Sequence, residues 1–175
     1  MPSPCREYEP AEDTFLLCDY VEGLSGRAAL DIGSGSGYVT RLLERSFEVV
    51  VGTDIDHCIL KNQTYPARNR VCCNAADALR GEFDVIVSNP PYLDTEDISF
   101  PDTDGGPGGV AVPGRFLRSA APLLAPGGAM GMVVSSLSRH TELARLAASL
   151  GLKADIAMRR RLFYEELYVL RLTHR

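Results

Sequence analysis

Four consecutive residues carry groups suited to chemistry on a planar amino nitrogen: Asn89-Pro90-Pro91-Tyr92. The side-chain oxygen of Asn89 and the carbonyl oxygen of Pro90 can accept the two hydrogens of an –NH2 group. The ring of Tyr92 can cover one flat side of that group. The tetrapeptide therefore predicts a site that holds a planar –NH2 nitrogen with its lone pair directed across the pocket.

The same tetrapeptide follows an apolar run that is typical of a buried strand, Phe83 to Ser88. Two prolines cannot continue a strand ladder, because each lacks an N–H and has a fixed φ. The chain is therefore expected to leave the sheet in a stiff turn at a strand's carboxyl end, where open α/β sheets bind ligands. The alternative interpretation is an ordinary proline-rich loop.

A glycine-rich turn lies upstream, in the run Leu30-Asp31-Ile32-Gly33-Ser34-Gly35-Ser36-Gly37. Glycines at alternate positions let a ligand approach the backbone closely and allow positive φ. A dinucleotide-binding turn requires Gly-x-Gly-x-x-Gly, and its third glycine would fall at Tyr38 here. The spacing therefore argues against a nicotinamide-dependent oxidoreductase.

Three aspartates are expected at or near the carboxyl ends of successive strands: Asp31, Asp54 and Asp77. Carboxylates along one edge of a sheet suit a cationic ligand that carries hydroxyl groups. The alternative is that they are surface acids that cap helices.

Helical and extended patterns alternate along the chain. Helices are expected at residues 11–22, 38–45, 58–65, 114–124 and 139–150, and strands at 27–32, 48–53, 71–76, 83–88, 128–134, 153–159 and 166–172. This alternation predicts an α/β fold with a mostly parallel, seven-stranded sheet and helices on both faces. Glu12 and Asp13 are interpreted as first-turn acids that the helix dipole favours.

The predicted organisation is a single domain over residues 1–175, in which residues 1–26 form an N-terminal lead and helix. The segment 93–113 has no helix or strand pattern and contains Gly105-Gly106-Pro107-Gly108-Gly109 as potential hinges. Long loops of this kind are often binding loops, so we expect a substrate loop here. A disordered surface excursion is the alternative.

Composition sets limits on the class of protein. The chain has 175 residues, 45% of them hydrophobic, and a net charge of −5, which suits a globular domain with a core and shows no basic footprint for nucleic acid. The cysteines are odd in number and lack C-x-x-C spacing, so they are expected to be reduced packing residues rather than metal ligands. No long apolar run or signal peptide is visible, which predicts a cytoplasmic protein with no membrane segment.

In these positions, Asn89-Pro90-Pro91-Tyr92 and the glycine turn resemble motifs IV and I of the class I S-adenosylmethionine-dependent methyltransferases that methylate –NH2 nitrogens. The run Tyr8-Glu9-Pro10-Ala11-Glu12-Asp13-Thr14-Phe15-Leu16-Leu17 is similar to the start of the HemK-like release-factor glutamine methyltransferases of archaea and eukaryotes. This second resemblance extends to residues 105–106 and 162–170 and so covers nearly the whole chain. It implies a Rossmann-like class I methyltransferase fold.

The resemblance implies S-adenosylmethionine as cofactor and S-adenosylhomocysteine as product. Asp31 would face the amino-acid part of the cofactor, Asp54 would accept from both ribose hydroxyls, and Asp77 would accept from the adenine amino group beside the backbone of Ala78. Thr14 would also contact the cofactor. The residues implied to bind the cofactor are Thr14, Asp31, Gly33, Gly35, Asp54, Asp77, Ala78 and Asn89. The residues implied to be catalytic are Asn89, Pro90 and Tyr92. No metal ligand is implied.

The resemblance also implies a substrate, the glutamine of the Gly-Gly-Gln motif in a class I translation release factor, and a partner, a small zinc-binding activator at the sheet edge near the third strand. One alternative is an amino-methyltransferase of RNA or DNA acting on adenine N6 or guanine N2. Enzymes that flip a DNA base usually need a recognition domain, and none is visible. Arg159-Arg160-Arg161 is the one basic run and is interpreted as a solvated strand end. A second alternative is a non-enzymatic binding module.

Overall fold

The structure, a computed structural model, describes residues 8–100 and 102–175. Its helices are α1 (Glu12–Val21), α2 (Tyr38–Leu43), α3 (His57–Lys61), α4 (Ala111–Ala120) and α5 (His140–Ser149). Its strands are β1 (Gly26–Ile32), β2 (Phe47–Asp54), β3 (Asn69–Cys72), β4 (Phe83–Ser88), β5 (Leu124–Ser135), β6 (Leu152–Arg161) and β7 (Glu166–His174).

These seven strands form one sheet in the order β3-β2-β1-β4-β5-β7-β6. Neighbouring strands from β3 through β5 are parallel, whereas β7 is antiparallel to both β5 and β6. The predicted mostly parallel, seven-stranded α/β sheet is therefore confirmed.

Helices cover both faces of the sheet, because successive strand residues point to opposite sides. On one face, Leu117 of α4 and Leu143 of α5 belong to a buried cluster with Leu30 and Ile86. On the other face, side chains of α1 and α2 pack with alternate residues of β1 and β4. That second cluster includes Leu16, Leu17, Val39, Leu43, Ala29, Val85 and Val87.

Strand order creates a switch point between β1 and β4. From β1 the chain moves outward to β2 and β3 and then returns to place β4 on the opposite side of β1. Ile32 pairs with Ser88, so the residues that follow these two strands leave the sheet side by side. Open α/β sheets bind ligands at such a position.

The third strand differs from the prediction. It ends at Cys72 instead of reaching residue 76, and a turn follows in which the Asp77 N–H donates to the Asn74 carbonyl at 3.0 Å. Cys73 is therefore not a strand residue. Helix α3 ends at Lys61, four residues before its predicted end at residue 65. Pro66 disfavours helical backbone at that predicted last residue, Tyr65.

The segment 93–113 was predicted to lack helix and strand, and the structure contradicts this prediction. Leu93 forms a bridge with Asp104, Pro107–Gly109 is a turn of 3₁₀-helix, and α4 already begins at Ala111. Pro113 lies in the first turn of α4, where a missing N–H removes no helical hydrogen bond. The predicted helix start at Gly114 was therefore too late by three residues.

Two smaller expectations are corrected. Cys18, Cys72 and Cys73 are free thiols, but Cys58 is disulfide-bonded instead of reduced; Cys5 lies outside the described residues. Arg160 is not a solvated strand end, since its guanidinium contacts the carboxylates of Glu12 at 2.8 Å and Asp19 at 2.7 Å on α1.

None of the helices in the described ranges is long and apolar enough to cross a lipid bilayer.

Candidate active site

The glycine turn after β1 is fixed to the end of β2. The backbone N–H groups of Gly33 and Ser34 both donate to the carbonyl of Thr53, at 2.9 and 2.8 Å. Gly37 has φ +78, and a Cβ there would collide with the carbonyl oxygen of Tyr65. A Cβ on Gly35, in contrast, would meet nothing within 4 Å. The turn is thus packed on its protein side and open above Gly35, where a ligand has room.

Gln63 supports this turn, a role that the sequence analysis missed. It is buried, and its amide nitrogen donates to the Ser34 hydroxyl at 3.1 Å and to the Gly35 carbonyl at 2.9 Å. Its side-chain oxygen accepts from the backbone of Ala67 at 3.3 Å. A glutamine in a polar stretch between a helix and a proline gives no sequence signal for such a contact.

Asp31 lies one residue before the end of β1 and is only 3% exposed. Its carboxylate accepts from the hydroxyl of Thr40 on α2 at 2.6 Å. Burial raises the pKa of Asp31 to about 6, and the Thr40 hydrogen bond opposes that rise. A cationic group beside Asp31 would restore its ionised form.

Asp54 is the last residue of β2 and so lies at a strand end, as predicted, although the predicted strand stopped one residue earlier. One carboxylate oxygen accepts from the Gly35 N–H at 3.1 Å and the other from the Asp56 N–H at 2.9 Å. Burial raises its pKa, and these two hydrogen bonds oppose the rise. Each oxygen keeps a lone pair, so Asp54 can still accept from two hydroxyl groups.

Asp77 is not at a strand end, which corrects the sequence expectation. It lies in the turn after β3 and is brought to the edge of the sheet by Ser119 of α4, whose hydroxyl donates to it at 2.6 Å. Ala78 beside it is exposed. Among the described residues, Ala75 in this turn is the one non-glycine residue with positive φ, at +48°. Such strain persists where surrounding contacts enforce it and is common at ligand sites.

Asn89 follows β4 directly, and the environment of its side-chain oxygen bears on ligand binding. Its Oδ1 atom is buried and has no hydrogen-bond partner among the described residues. Pro90 is buried next to it. A buried carbonyl without a partner is unfavourable by about 1–3 kcal/mol, so this oxygen is set to accept a donor from a ligand.

Tyr92 is anchored by a residue that the sequence analysis had assigned only to the helix dipole. The Tyr92 hydroxyl donates to Asp13 at 3.1 Å, and the Tyr8 hydroxyl donates to the same oxygen at 2.9 Å. The other Asp13 oxygen accepts from the backbone of Thr14 at 2.6 Å. Asp13 is buried, so it connects the start of α1, including Thr14, to the tetrapeptide after β4.

The pKa of Tyr92 is raised, first by burial and then by the negative charge of Asp13 and Glu165. Tyr92 therefore stays protonated near neutral pH. It can donate a hydrogen bond and present its ring, but it cannot act as a base.

The groups along this edge fit S-adenosylmethionine. Asp31 suits its cationic amino-acid part, Asp54 retains acceptor capacity for two ribose hydroxyls, and the space above Gly35 leaves room for the chain between them. A mostly parallel sheet with such an acidic edge at its switch point is typical of the Rossmann-like, S-adenosylmethionine-dependent methyltransferases.

Comparison with known proteins agrees: the chain belongs to the methyltransferase small domain family, whose model matches residues 11–161. It is 31% identical to a putative protein N5-glutamine methyltransferase of Methanocaldococcus jannaschii, over 93% of this chain and 89% of the relative. It is also 31% identical to methyltransferase HEMK2 of Mus musculus, over 94% of this chain and 88% of that one. The resemblance to HemK-like methyltransferases is thereby confirmed.

Among solved structures, the chain resembles Mtq2 in the Mtq2–Trm112 complex of E. cuniculi, with a TM-score of 0.82 and 28% identity over 97% of this chain and 99% of Mtq2. Two further solved structures share this fold: a T. thermophilus 16S rRNA N2 G1207 methyltransferase in complex with AdoMet, with a TM-score of 0.67, and a DhpI–SAH complex, with a TM-score of 0.62.

Proposed function

We propose that this protein methylates the side-chain nitrogen of the glutamine in the Gly-Gly-Gln motif of a class I translation release factor. The observation that carries the proposal is the buried, unpaired Oδ1 of Asn89, which lies in a proline-stiffened turn between the cofactor edge and the anchored Tyr92. A primary amide has two N–H groups and a flat face, and these match the oxygens and the ring of the tetrapeptide.

The relatives support this choice of substrate. The M. jannaschii relative is named as a putative protein N5-glutamine methyltransferase, and the E. cuniculi complex is described as responsible for methylation of the eRF1 translation termination factor. This chain spans most of the length of both proteins. The acidic edge and the net charge of −5 favour a protein substrate over nucleic acid.

In this proposal, each predicted site residue has one role. Asp31 pairs with the amino group of the cofactor, Asp54 accepts from the ribose hydroxyls, and Asp77 accepts from the adenine amino group beside the backbone of Ala78. Gly33 and Gly35 allow the cofactor to approach the backbone. Thr14 contacts the cofactor from α1, and Asn89 lies between cofactor and substrate.

The chemistry that remains for the protein is to prepare a weak nucleophile, because an amide lone pair is delocalised into its carbonyl. S-adenosylmethionine supplies a methyl group activated by a positively charged sulfur. Asn89 Oδ1 and the Pro90 carbonyl accept the two N–H groups of the amide, orient its nitrogen and stabilise the positive charge that develops on it. Positioning of this kind contributes on the order of 7–11 kcal/mol, and each aimed dipole about 3–4 kcal/mol.

The proton leaves the nitrogen late and passes to solvent. Tyr92 cannot take it, because its raised pKa keeps the hydroxyl protonated, and Asp13 is occupied by Tyr8, Tyr92 and Thr14. Tyr92 instead packs its ring on the flat amide and excludes water from that side.

We further propose that a small zinc-binding activator protein binds the free edge of β3 and that the enzyme acts in the cytoplasm. β3 is an edge strand with exposed Cys72, and Ile55 after β2 is 65% exposed close by. An open edge of this kind is a template for pairing with another chain. The solved E. cuniculi relative is in a complex with Trm112.

The test is transfer of labelled methyl from S-adenosylmethionine to a matching release factor, with and without a co-expressed activator. The control substrate carries Asn in place of the Gly-Gly-Gln glutamine. We expect label on the wild-type factor and none on the control. Label that persists on the control would overturn the proposed acceptor glutamine. Label that appears only on tRNA or DNA would overturn the proposed substrate and favour the nucleic-acid alternative.

A further inference from the structure

Exposed apolar side chains are concentrated at the carboxyl edge of the sheet, where the site lies. Phe163 is 90% exposed and Tyr164 is 85% exposed, at the tip of the hairpin between β6 and β7. Phe100 and Ile98 in the segment after Tyr92 are 66% and 45% exposed, and Leu137 after β5 is 63% exposed. At the opposite edge, Leu150 before β6 is 37% exposed.

Sheet register places the hairpin tip on the catalytic side. β5 runs parallel to β4, and Ser88 at the end of β4 pairs with Met132 of β5. Ser135 at the end of β5 pairs with Leu167, which is near the start of β7. The connection between β6 and β7 therefore projects from the same edge as Asn89.

The base of the hairpin is firmly held, so its aromatic tip is presented on a rigid support. The Leu162 N–H donates to the Glu165 carbonyl at 2.8 Å, and the Ser135 hydroxyl donates to the Glu165 carboxylate. The Ser136 N–H donates to the Glu166 carbonyl at 2.8 Å. The rings of Phe163 and Tyr164 pack edge to face with centroids 4.6 Å apart.

A groove of about 410 Å³ lies along this hairpin, lined by Ser136 and residues 161–166. The charged side chains that line the groove are one basic residue, Arg161, and two acidic residues, Glu165 and Glu166. Further acidic side chains lie near Tyr8. Burial is the largest cause of the raised pKa of Tyr8, and the nearby charges of Asp13, Asp102 and Glu165 add to it. Tyr8 also adjoins Tyr92, since both hydroxyls reach the same oxygen of Asp13.

We propose that the Phe163–Tyr164 tip and its groove dock a basic polypeptide segment that adjoins the acceptor glutamine of the substrate. Aromatic side chains on a rigid support are the residues that most often dominate binding at protein interfaces. The carboxylates of Asp102 and Glu165 complement Lys or Arg in the docked segment and repel a phosphate backbone. This inference rests on the proposed function, because it assumes a polypeptide substrate.

The test compares the double variant Phe163→Ser/Tyr164→Ser with wild type and with Leu150→Ser, an exposed apolar residue at the opposite edge. For each protein, steady-state kinetics with a release factor, calorimetric titration of S-adenosylmethionine and thermal unfolding are measured. We expect the double variant to raise KM for the release factor at least about ten-fold, as loss of an aromatic anchor does at other interfaces. The double variant should keep a cofactor affinity and an unfolding temperature near those of wild type. Leu150→Ser should keep a KM for the release factor near that of wild type.

The charge requirement is tested on the substrate and on the enzyme. A release factor whose Lys and Arg residues beside the acceptor glutamine are changed to Gln should show a raised KM with wild-type enzyme. The same change should have a smaller effect with Asp102→Asn, because one carboxylate partner is gone.

The outcomes separate this inference from the proposed function. If wild-type enzyme methylates the release factor and the double variant keeps its KM within two-fold, the hairpin inference is overturned and the function stands. If the release factor with Gln in place of its Lys and Arg residues is methylated as well as the native one, the proposal that the docked segment is basic is overturned. If wild-type enzyme transfers no methyl to the release factor, the proposed function fails and the hairpin inference fails with it.

Discussion

At the level of single residues, the unpaired oxygen of Asn89 is the most direct test of the chemistry. Asn89→Ala removes one acceptor for the amide N–H groups, so kcat should fall about 10²- to 10³-fold, as it does when one preorganised dipole is lost elsewhere. Cofactor binding, measured by calorimetry, should persist. Asn69→Ala, assayed without activator, is a suitable control, because the Asn69 side chain donates to the Val50 carbonyl from β3, and two strands separate β3 from β4. Near-normal turnover by Asn89→Ala with bound cofactor would contradict the mechanism.

Asp13 is expected to act through Tyr92, which makes it a positioning residue. Tyr92→Phe and Asp13→Ala each remove the bond that fixes the ring, so each should lower kcat, and the double variant should be little worse than the poorer single variant. Contacting residues commonly show coupling of about 0.5–3 kcal/mol in such a cycle. Tyr8→Phe is the control, since it removes the other bond to the same oxygen and leaves the tetrapeptide untouched. Additive losses in kcat, or losses only in unfolding temperature, would show that Asp13 has a structural role alone.

Asp31 should make cofactor affinity depend on pH. Burial raises the pKa of Asp31 from 3.8 to about 6, so the folded protein favours the protonated carboxyl. The contribution of Asp31 to the unfolding free energy of the cofactor-free protein is therefore fully present below about pH 4 and is lost as pH rises through about 6. A cationic cofactor favours the ionised form, so affinity should fall about ten-fold between pH 7 and pH 5. Calorimetric titration of wild type and Asp31→Asn measures this, and the variant should bind more weakly with a flatter profile. A wild-type affinity that does not change over this range would exclude the pairing.

At the level of elements, the segment after Tyr92 supports the site through its glycines. Gly109 has φ +67, and a Cβ there would collide with the Tyr92 carbonyl oxygen; Gly127 has φ +81, and a Cβ there would meet nothing within 4 Å. Both alanine variants should lose about 1–2 kcal/mol of unfolding free energy to backbone strain. Gly109→Ala should lose more and should also lower kcat, because the tetrapeptide must move. Urea unfolding and kinetics measure both effects, and equal behaviour of the two variants would show that the contact is unimportant.

The same elements show what sequence could and could not predict. The double proline after β4 and the glycine turn after β1 were placed correctly, because each rests on local backbone chemistry. The turn after β3 was misassigned as strand, since the left-handed conformation of Ala75 and the bond from Ser119 to Asp77 depend on α4, which is distant in sequence. The anchoring of Tyr92 by Asp13 was missed for the same reason: a first-turn acid gives the same sequence signal whether it is solvated or buried.

At the level of the whole molecule, the cofactor should stabilise the fold by mass action. The residues proposed to bind the cofactor lie at or after the carboxyl ends of β1, β2, β3 and β4, so binding would connect strands that are distant in sequence. At a free concentration of 100 times its Kd, S-adenosylmethionine should add about 2.7 kcal/mol to the unfolding free energy. Hydrogen exchange should slow at residues 33–35 and 75–78, while the turn at Gly151 on the opposite edge changes only through global stability. If bound cofactor did not raise the unfolding free energy, the unfolded chain would have to bind the cofactor as tightly as the folded protein, which would contradict binding at a site formed by the folded sheet.

The position of β7 has a consequence for how the chain is made. β7 is synthesised after β6 but lies between β5 and β6, so β6 has no neighbour in the sheet until β7 has emerged. Until then, β5 presents an unpaired edge whose residues include Met132 and Val133, both fully buried in the finished fold. Such an edge is a template for strand pairing between chains. The nascent protein is therefore most exposed to aggregation in the interval between synthesis of β5 and synthesis of β7, and a chain interrupted in that interval would need a chaperone or degradation.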